Sequence, residues 1–115
     1  MKIKKMTPRG LWREFHHLND RFFSNRIVLK ELGFSVRGLP HHASAAYYEN
    51  HRKILINDDL RGYWRIVSML LLHEMAHADL HIKGYKGYPG DGGHGGLFQV
   101  ELDRLYKAGA YDGIL

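Results

Sequence analysis

The chain has no cysteine. That absence excludes disulfides, a thiolate zinc ribbon and a cysteine nucleophile, so any bound metal has to be held by His, Asp or Glu. Long apolar runs are missing as well. Nothing approaches the roughly 20 residues of a membrane-spanning helix, and the basic start Met1–Met6 is not followed by the apolar segment of a secretion signal. No membrane partner and a cytoplasmic location are therefore expected. Dense charge of one sign is also lacking. The net charge is +5, but beyond the N-terminus the cations are scattered through Arg9, Arg13, Arg21, Arg26 and onward. A solubilising surface accounts for them. Any DNA contact from such a surface is expected to be weak, nonspecific and steeply salt-dependent, since phosphate contacts alone read no bases. There are no internal repeats and no composition break, so residues 1–115 are expected to form a single domain, acting as a monomer.

The periodicity of the chain predicts a mixed helix and strand domain. Thr7-Pro8 is an N-cap followed by proline at the first helical position. Leu11, Phe15, Leu18 and Phe22 then recur at helical spacing, which predicts an amphipathic helix over residues 8–24. From Phe34 to Asn57 the period shortens. Phe34–Arg37, Ala43–Tyr48 and Lys53–Ile56 are predicted strands, the last two joined as a hairpin around Glu49–Arg52. Tyr63–Ile82 is a predicted long helix, and Leu97–Ala108 a closing one before Gly109. Between them, residues 84–96 hold seven glycines and are predicted to be a shaped loop.

The long helix carries His73-Glu74-Met75-Ala76-His77, an H-E-x-x-H sequence. Residues four apart on a helix lie about 6 Å apart along its axis. Two imidazoles so placed can converge on one cation at roughly 2.0–2.1 Å from each nitrogen. Glu74, one position past the first histidine, can then reach a water on that metal, which is what hydrolysis with a general base needs. The preceding run Ile66–Leu72 is apolar on nearly every face and predicts a helix buried on all sides. Polar groups placed directly after it are costly unless paired or coordinating.

A catalytic zinc site needs a third protein ligand. His81 lies about 12 Å along the axis from His73, too far to share one ion. Asp79, two positions past His77, points away from its face. The pattern H-E-x-x-H-x-x-G-x-x-H fails because Leu80 and Lys83 stand where glycine and histidine should be. His94, set among glycines, and Glu101 on the last helix remain. His94 is favoured, with Glu101 as the alternative or as a supporting group. His16, His17, His41, His42 and His51 are expected at the surface.

Leu18–Phe23 on the first helix, Ile54–Asn57, Leu71–Ala78 and Gly93-His94-Gly95-Gly96-Leu97-Phe98 together resemble the SprT-like metallopeptidase domain, the catalytic domain of Spartan-type DNA–protein crosslink proteases. The similarity runs in order over residues 11–108 and pairs H-E-x-x-H with a later H-G-x-x-F. It implies that His73, His77 and His94 hold zinc and that Glu74 is the base. Many bacterial members append a cysteine zinc ribbon, and this sequence resembles the minimal form without one. His77–His81 also resembles the H-x-x-L-H of ImmA/IrrE-type peptidases, which ranks second because H-G-x-x-F is not expected there.

These readings combine into an α+β, zincin-like domain with a small, mostly antiparallel sheet packed with helices and H-E-x-x-H on the central buried helix. The expected activity is zinc-dependent hydrolysis of peptide or protein substrates, with DNA-associated proteins as one substrate class. Tyr85 and Tyr88 are candidates for stabilising the oxyanion, by position alone. The competing class is a non-catalytic, metal-stabilised module that binds nucleic acid or a protein, against which Glu74 argues because a closed structural site has no use for a base.

Overall fold

A computed structural model describes residues 4–85 and 94–114. The order of elements is α1 (Pro8–Phe22), β1 (Glu31–Ser35), β2 (Ala45–Tyr48), β3 (Lys53–Asn57), α2 (Trp64–Ile82) and α3 (Gly96–Lys107). The fold is α+β: among the described residues, three α-helices with a three-stranded sheet.

Helix α1 starts where the Thr7 hydroxyl accepts the Gly10 N–H at 3.0 Å, with Pro8 supplying a helical φ and needing no partner for an N–H. Its apolar stripe Leu11, Phe15 and Leu18 is buried, as its spacing predicts. The helix stops two residues short of the expected 24. Ser24 and Asn25 take left-handed backbone (φ 51° and 58°), which reverses the chain. Buried Asn19 pins the returning strand of chain: its amide donates to the Ile27 carbonyl at 2.9 Å, and its side-chain oxygen accepts the Ile27 N–H at 3.2 Å.

The sheet corrects the expected arrangement. Its order is β1-β3-β2, with β3 antiparallel to β2 but parallel to β1, so it is mixed instead of mostly antiparallel. The first strand also begins earlier than expected, at Glu31, and takes in Gly33. Alternation of apolar and polar residues fixes which face a strand buries, but not which neighbour it joins or in what direction. The expected hairpin is present. Glu49–His51 forms a short 3₁₀ turn, and Arg52 in left-handed conformation (φ 46°) returns the chain into β3. Because β3 is central, β2 and β1 are both edges of the sheet.

Ile54 and Ile56 of β3 point to one face and are fully buried in a core with Leu11, Phe15, Leu71, Leu72 and Met75. Helix α2 packs on β2 and β3 and enters this core from Val67 onward. It is not buried on all sides. Trp64, Arg65 and Ile66 are exposed, and Met69 and Leu70 are only partly buried, so one face of the early turns meets solvent. The burial is deepest from Leu71 to Asp79, the stretch that holds His73, Glu74 and His77. Helix α3 then closes over α2 through Phe98 and Leu105, and α3 is the element that follows His94. Among the described residues no helix is long and apolar enough to cross a membrane.

Candidate metal centre

Helix α2 presents His73 and His77 one turn apart on a half-buried face, with ring centroids 5.1 Å apart. The chain then returns through His94, immediately before α3. The Gln99 side-chain amide donates to the His94 carbonyl at 3.4 Å, and the Gln99 N–H donates to the Gly95 carbonyl at 3.1 Å. This ties His94 to the first turn of α3. The Nε2 atoms of His73 and His77 each lie 3.2 Å from Nε2 of His94. One nitrogen of each ring lies within 4.8 Å of the other two.

Those separations suit a shared cation. Three nitrogens on a tetrahedron with bonds of roughly 2.0–2.1 Å would stand about 3.3 Å apart. A hydrogen-bonding account is poorer, because Nε2 of His94 carries at most one proton and cannot serve both neighbours equally. The rings are also in the state a metal needs. Burial, followed by the charges of His73 and His94, pushes His77 down to about 4, and burial with His94 pushes His73 down as well. Both imidazoles are thus neutral at pH 7, with lone pairs available. Phe98 forms the apolar floor. Its ring stacks on His77 at 4.2 Å and 17°, and meets His73 and His94 edge-on at 4.9 and 5.1 Å. The residues present therefore fit a divalent metal bound by three nitrogens.

Glu74 is buried, at 6 % exposure, and faces β2. Desolvation pushes its carboxyl up from 4.5 to about 7, against the pull of a hydrogen bond from the Tyr47 backbone N–H. That contact follows from strand pairing. The Asn57 N–H donates to the Ser44 carbonyl at 2.8 Å, so the alternation of an antiparallel ladder turns the backbone groups of Ala45 and Tyr47 away from β3. Among the described residues they form an unpaired edge of the sheet beside α2.

A carboxyl held at about 7 against 4.5 opposes folding by about 3 kcal/mol once both states are ionised. The folded value is the raised one, so this penalty is absent below pH 4.5 and grows until about pH 7. Metal-free Glu74→Gln keeps an acceptor for the Tyr47 N–H and carries no charge. It is expected to melt several degrees above wild type at pH 8 and to coincide with it near pH 4, by thermal unfolding in chelator. Equal melting temperatures at both pH values would show that Glu74 is not desolvated.

Of the residues singled out from sequence, the structure brings together His73, His77 and His94. Glu101 does not join them. It is buried at 5 % exposure, where Arg104 Nε donates to it at 2.7 Å and Lys83 Nζ approaches at 3.5 Å. His81 lies one turn past His77 and is engaged elsewhere: its Nδ1 is 3.0 Å from the Tyr47 hydroxyl and its Nε2 3.8 Å from Glu49. Tyr85 is exposed, and Tyr88 lies outside the described residues. His16, His17, His41, His42 and His51 are exposed.

The SprT-like family model matches residues 12–112. The chain belongs to the SprT-like family. Comparison with curated proteins returned no significant match. Family membership is consistent with a metallopeptidase-type domain, and the three histidines could hold a metal ion.

Three features of this SprT-like domain leave little mark in the sequence. Phe98 stands in the sequence as the last letter of H-G-x-x-F, but its stacking against the three histidine rings is not visible there. The Tyr47 amide opposite Glu74 is a main-chain contact and leaves no mark in the side chains. Asp79, expected to point away from the site, does so, but into a buried ion network. It is fully buried, and Arg26 grips it with two hydrogen bonds of 3.0 and 3.1 Å while Lys83 adds an ion pair at 3.0 Å. Burial pushes the Asp79 carboxyl up, but hydrogen bonds from Arg26 and Lys83 outweigh it and hold it below its ordinary range.

Proposed function

We propose that this domain is a zincin-like, zinc-dependent peptidase in which His73, His77 and His94 hold the metal and Glu74 is the general base. The observation that carries the reading is the meeting of three imidazoles, with His73 and His77 each 3.2 Å from His94, beside a buried glutamate one position from the first of them. A zinc ion held there would supply Lewis acidity toward a scissile carbonyl and an attacking water. Glu74 would then take a proton from the attacking water and pass it to the leaving amine. Its value of about 7 suits both halves of the task, since a base and acid works best with a pKa near the working pH. The desolvated setting keeps the carboxylate reactive, and the Tyr47 N–H keeps it oriented.

An extended substrate has a natural seat on the free edge of β2, where main-chain groups of Ala45 and its neighbours can pair with a peptide strand. This supports a peptide or unfolded protein as the substrate class. The domain is proposed to span residues 1–115, to act as a monomer in the cytoplasm, and to touch DNA only weakly through scattered cations; DNA-associated proteins are then one group of substrates. Retention of DNA at high salt would contradict that last point. The intact Glu74 in its buried setting favours the enzyme over a purely metal-stabilised binding module.

The test is cleavage of a generic unfolded polypeptide by the wild-type protein before chelation, after chelation and after zinc is restored. Cleavage lost to chelator and regained with zinc is expected. Cleavage indifferent to chelator would exclude the metal from the reaction.

A further inference from the structure

Five charged residues lie where the end of α1, the end of α2 and the middle of α3 meet. Asp79 and Glu101 are buried, and Arg26, Lys83 and Arg104 surround them. Lys83 bridges the two carboxylates, at 3.0 Å from Asp79 and 3.5 Å from Glu101. Arg104 holds Glu101 and also donates to the Phe22 carbonyl at 2.9 Å. Arg26 holds Asp79 from the segment after α1. The network therefore links α3 to two other elements at once.

Its place relative to the metal centre is specific. Asp79 is two residues past His77. Glu101 is one helical turn past Phe98 and shares the buried face of α3 with Phe98 and Leu105. The first turn of the same helix holds His94 through Gln99. A rotation or slide of α3 along α2 would carry Phe98 and His94 with it, and would break the Lys83 bridge between the two carboxylates. His73 and His77, both on α2, would keep their mutual spacing. Two of the three nitrogens are thus set by one helix alone, and the third depends on how α3 docks.

We propose that Asp79 and Glu101 are positioning residues whose ion network docks α3 on α2 and so delivers His94 to the metal. The inference rests on the reading of His94 as a ligand. Burying two carboxylates for stability alone is a poor bargain, since apolar residues of similar size often serve as well or better. A network with directional bonds fixes the rotation and register of a short helix in a way that apolar packing of two side chains does not. Groups that orient a metal ligand typically contribute 10–100-fold to metal affinity, and an indirect one belongs at the lower end.

The experiment is a thermodynamic cycle on zinc affinity, measured by competition with a chromogenic chelator for wild type, Asp79→Asn, His94→Ala and the double variant. Asp79→Asn is expected to weaken zinc binding about tenfold when His94 is present, and less than twofold when His94 is already alanine. A merely structural role would weaken binding equally in both backgrounds. Glu101→Gln, which loosens the network from the α3 side, is run in parallel and is expected to show the same dependence on His94. It also stands in should Asp79→Asn fail to fold, which thermal melting would reveal. Equal losses in both backgrounds, or no loss in either, would overturn the proposal. If His94→Ala alone leaves zinc affinity unchanged, the ligand assignment itself is wrong and the positioning role falls with it.

Discussion

His94→Ala is expected to lower zinc affinity by several orders of magnitude, as are His73→Ala and His77→Ala, while Glu101→Ala costs far less. On the proposed reading each histidine would supply one of three nitrogens, and wild type is expected to bind one zinc per chain. Removing one leaves a two-nitrogen pair that the rest of the site cannot complete. Glu101, the alternative ligand from sequence, is already engaged by Arg104 and Lys83 and would have to leave both to substitute. The contrast between His94 and Glu101 is the informative part, because those two competed for the role from sequence alone. Zinc competition titrations on the four variants give the answer. Tight binding by His94→Ala together with its loss in Glu101→Ala would reverse the assignment.

Glu74→Gln is expected to keep zinc and fold and to lose peptide hydrolysis by about 10²–10⁴-fold, the usual contribution of a general base. Glutamine preserves the shape of the side chain and its acceptor for the Tyr47 N–H, but not its basicity. Because Glu74 does not belong to the nitrogen triad, its loss should fall on turnover and leave metal affinity within a few-fold of wild type. The same substitution is expected to stabilise the metal-free protein at pH 8, since it removes a buried charge. Lost activity together with gained stability is the signature of a group held in an unfavourable setting for chemistry. A substitution that merely damaged the fold would lose both.

Much of the centre was legible because its chemistry is local. His73, Glu74 and His77 sit within five residues, so helical geometry alone brings the imidazoles together and leaves the carboxylate beside them. His94 was harder. It is 17 residues past His77, across a glycine-rich stretch whose course no propensity predicts; its place among glycines favoured it over Glu101, and the H-G-x-x-F resemblance added to that. The contacts that support the site were hidden by distance in the chain. Asp79 and Arg26 are 53 positions apart, and nothing near either residue announces the other. The Tyr47 amide is hidden for a different reason: a backbone N–H looks the same in every residue, and only the register of β2 on β3 turns it toward Glu74.

The fold shows the same division. Helix α1 was readable from Thr7, Pro8 and the spacing of Leu11, Phe15 and Leu18, each a local signal. The β2–β3 hairpin was readable because its turn is short. The parallel pairing of β1 with β3 was not, since it depends on where the chain goes between Ser35 and Ala45, and alternation within a strand carries no direction. The glycine-rich loop lies largely in residues 86–93, outside the described residues, so the expectation for Tyr88 stays where the sequence left it.

The most direct measurement of the central claim pairs two readings on one preparation: zinc content per chain, and the rate of cleavage of an unfolded polypeptide, for wild type and Glu74→Gln side by side. The account predicts one zinc in each protein, cleavage by wild type, and at least a hundredfold slower cleavage by Glu74→Gln. Equal cleavage by the two proteins at equal zinc content would contradict it.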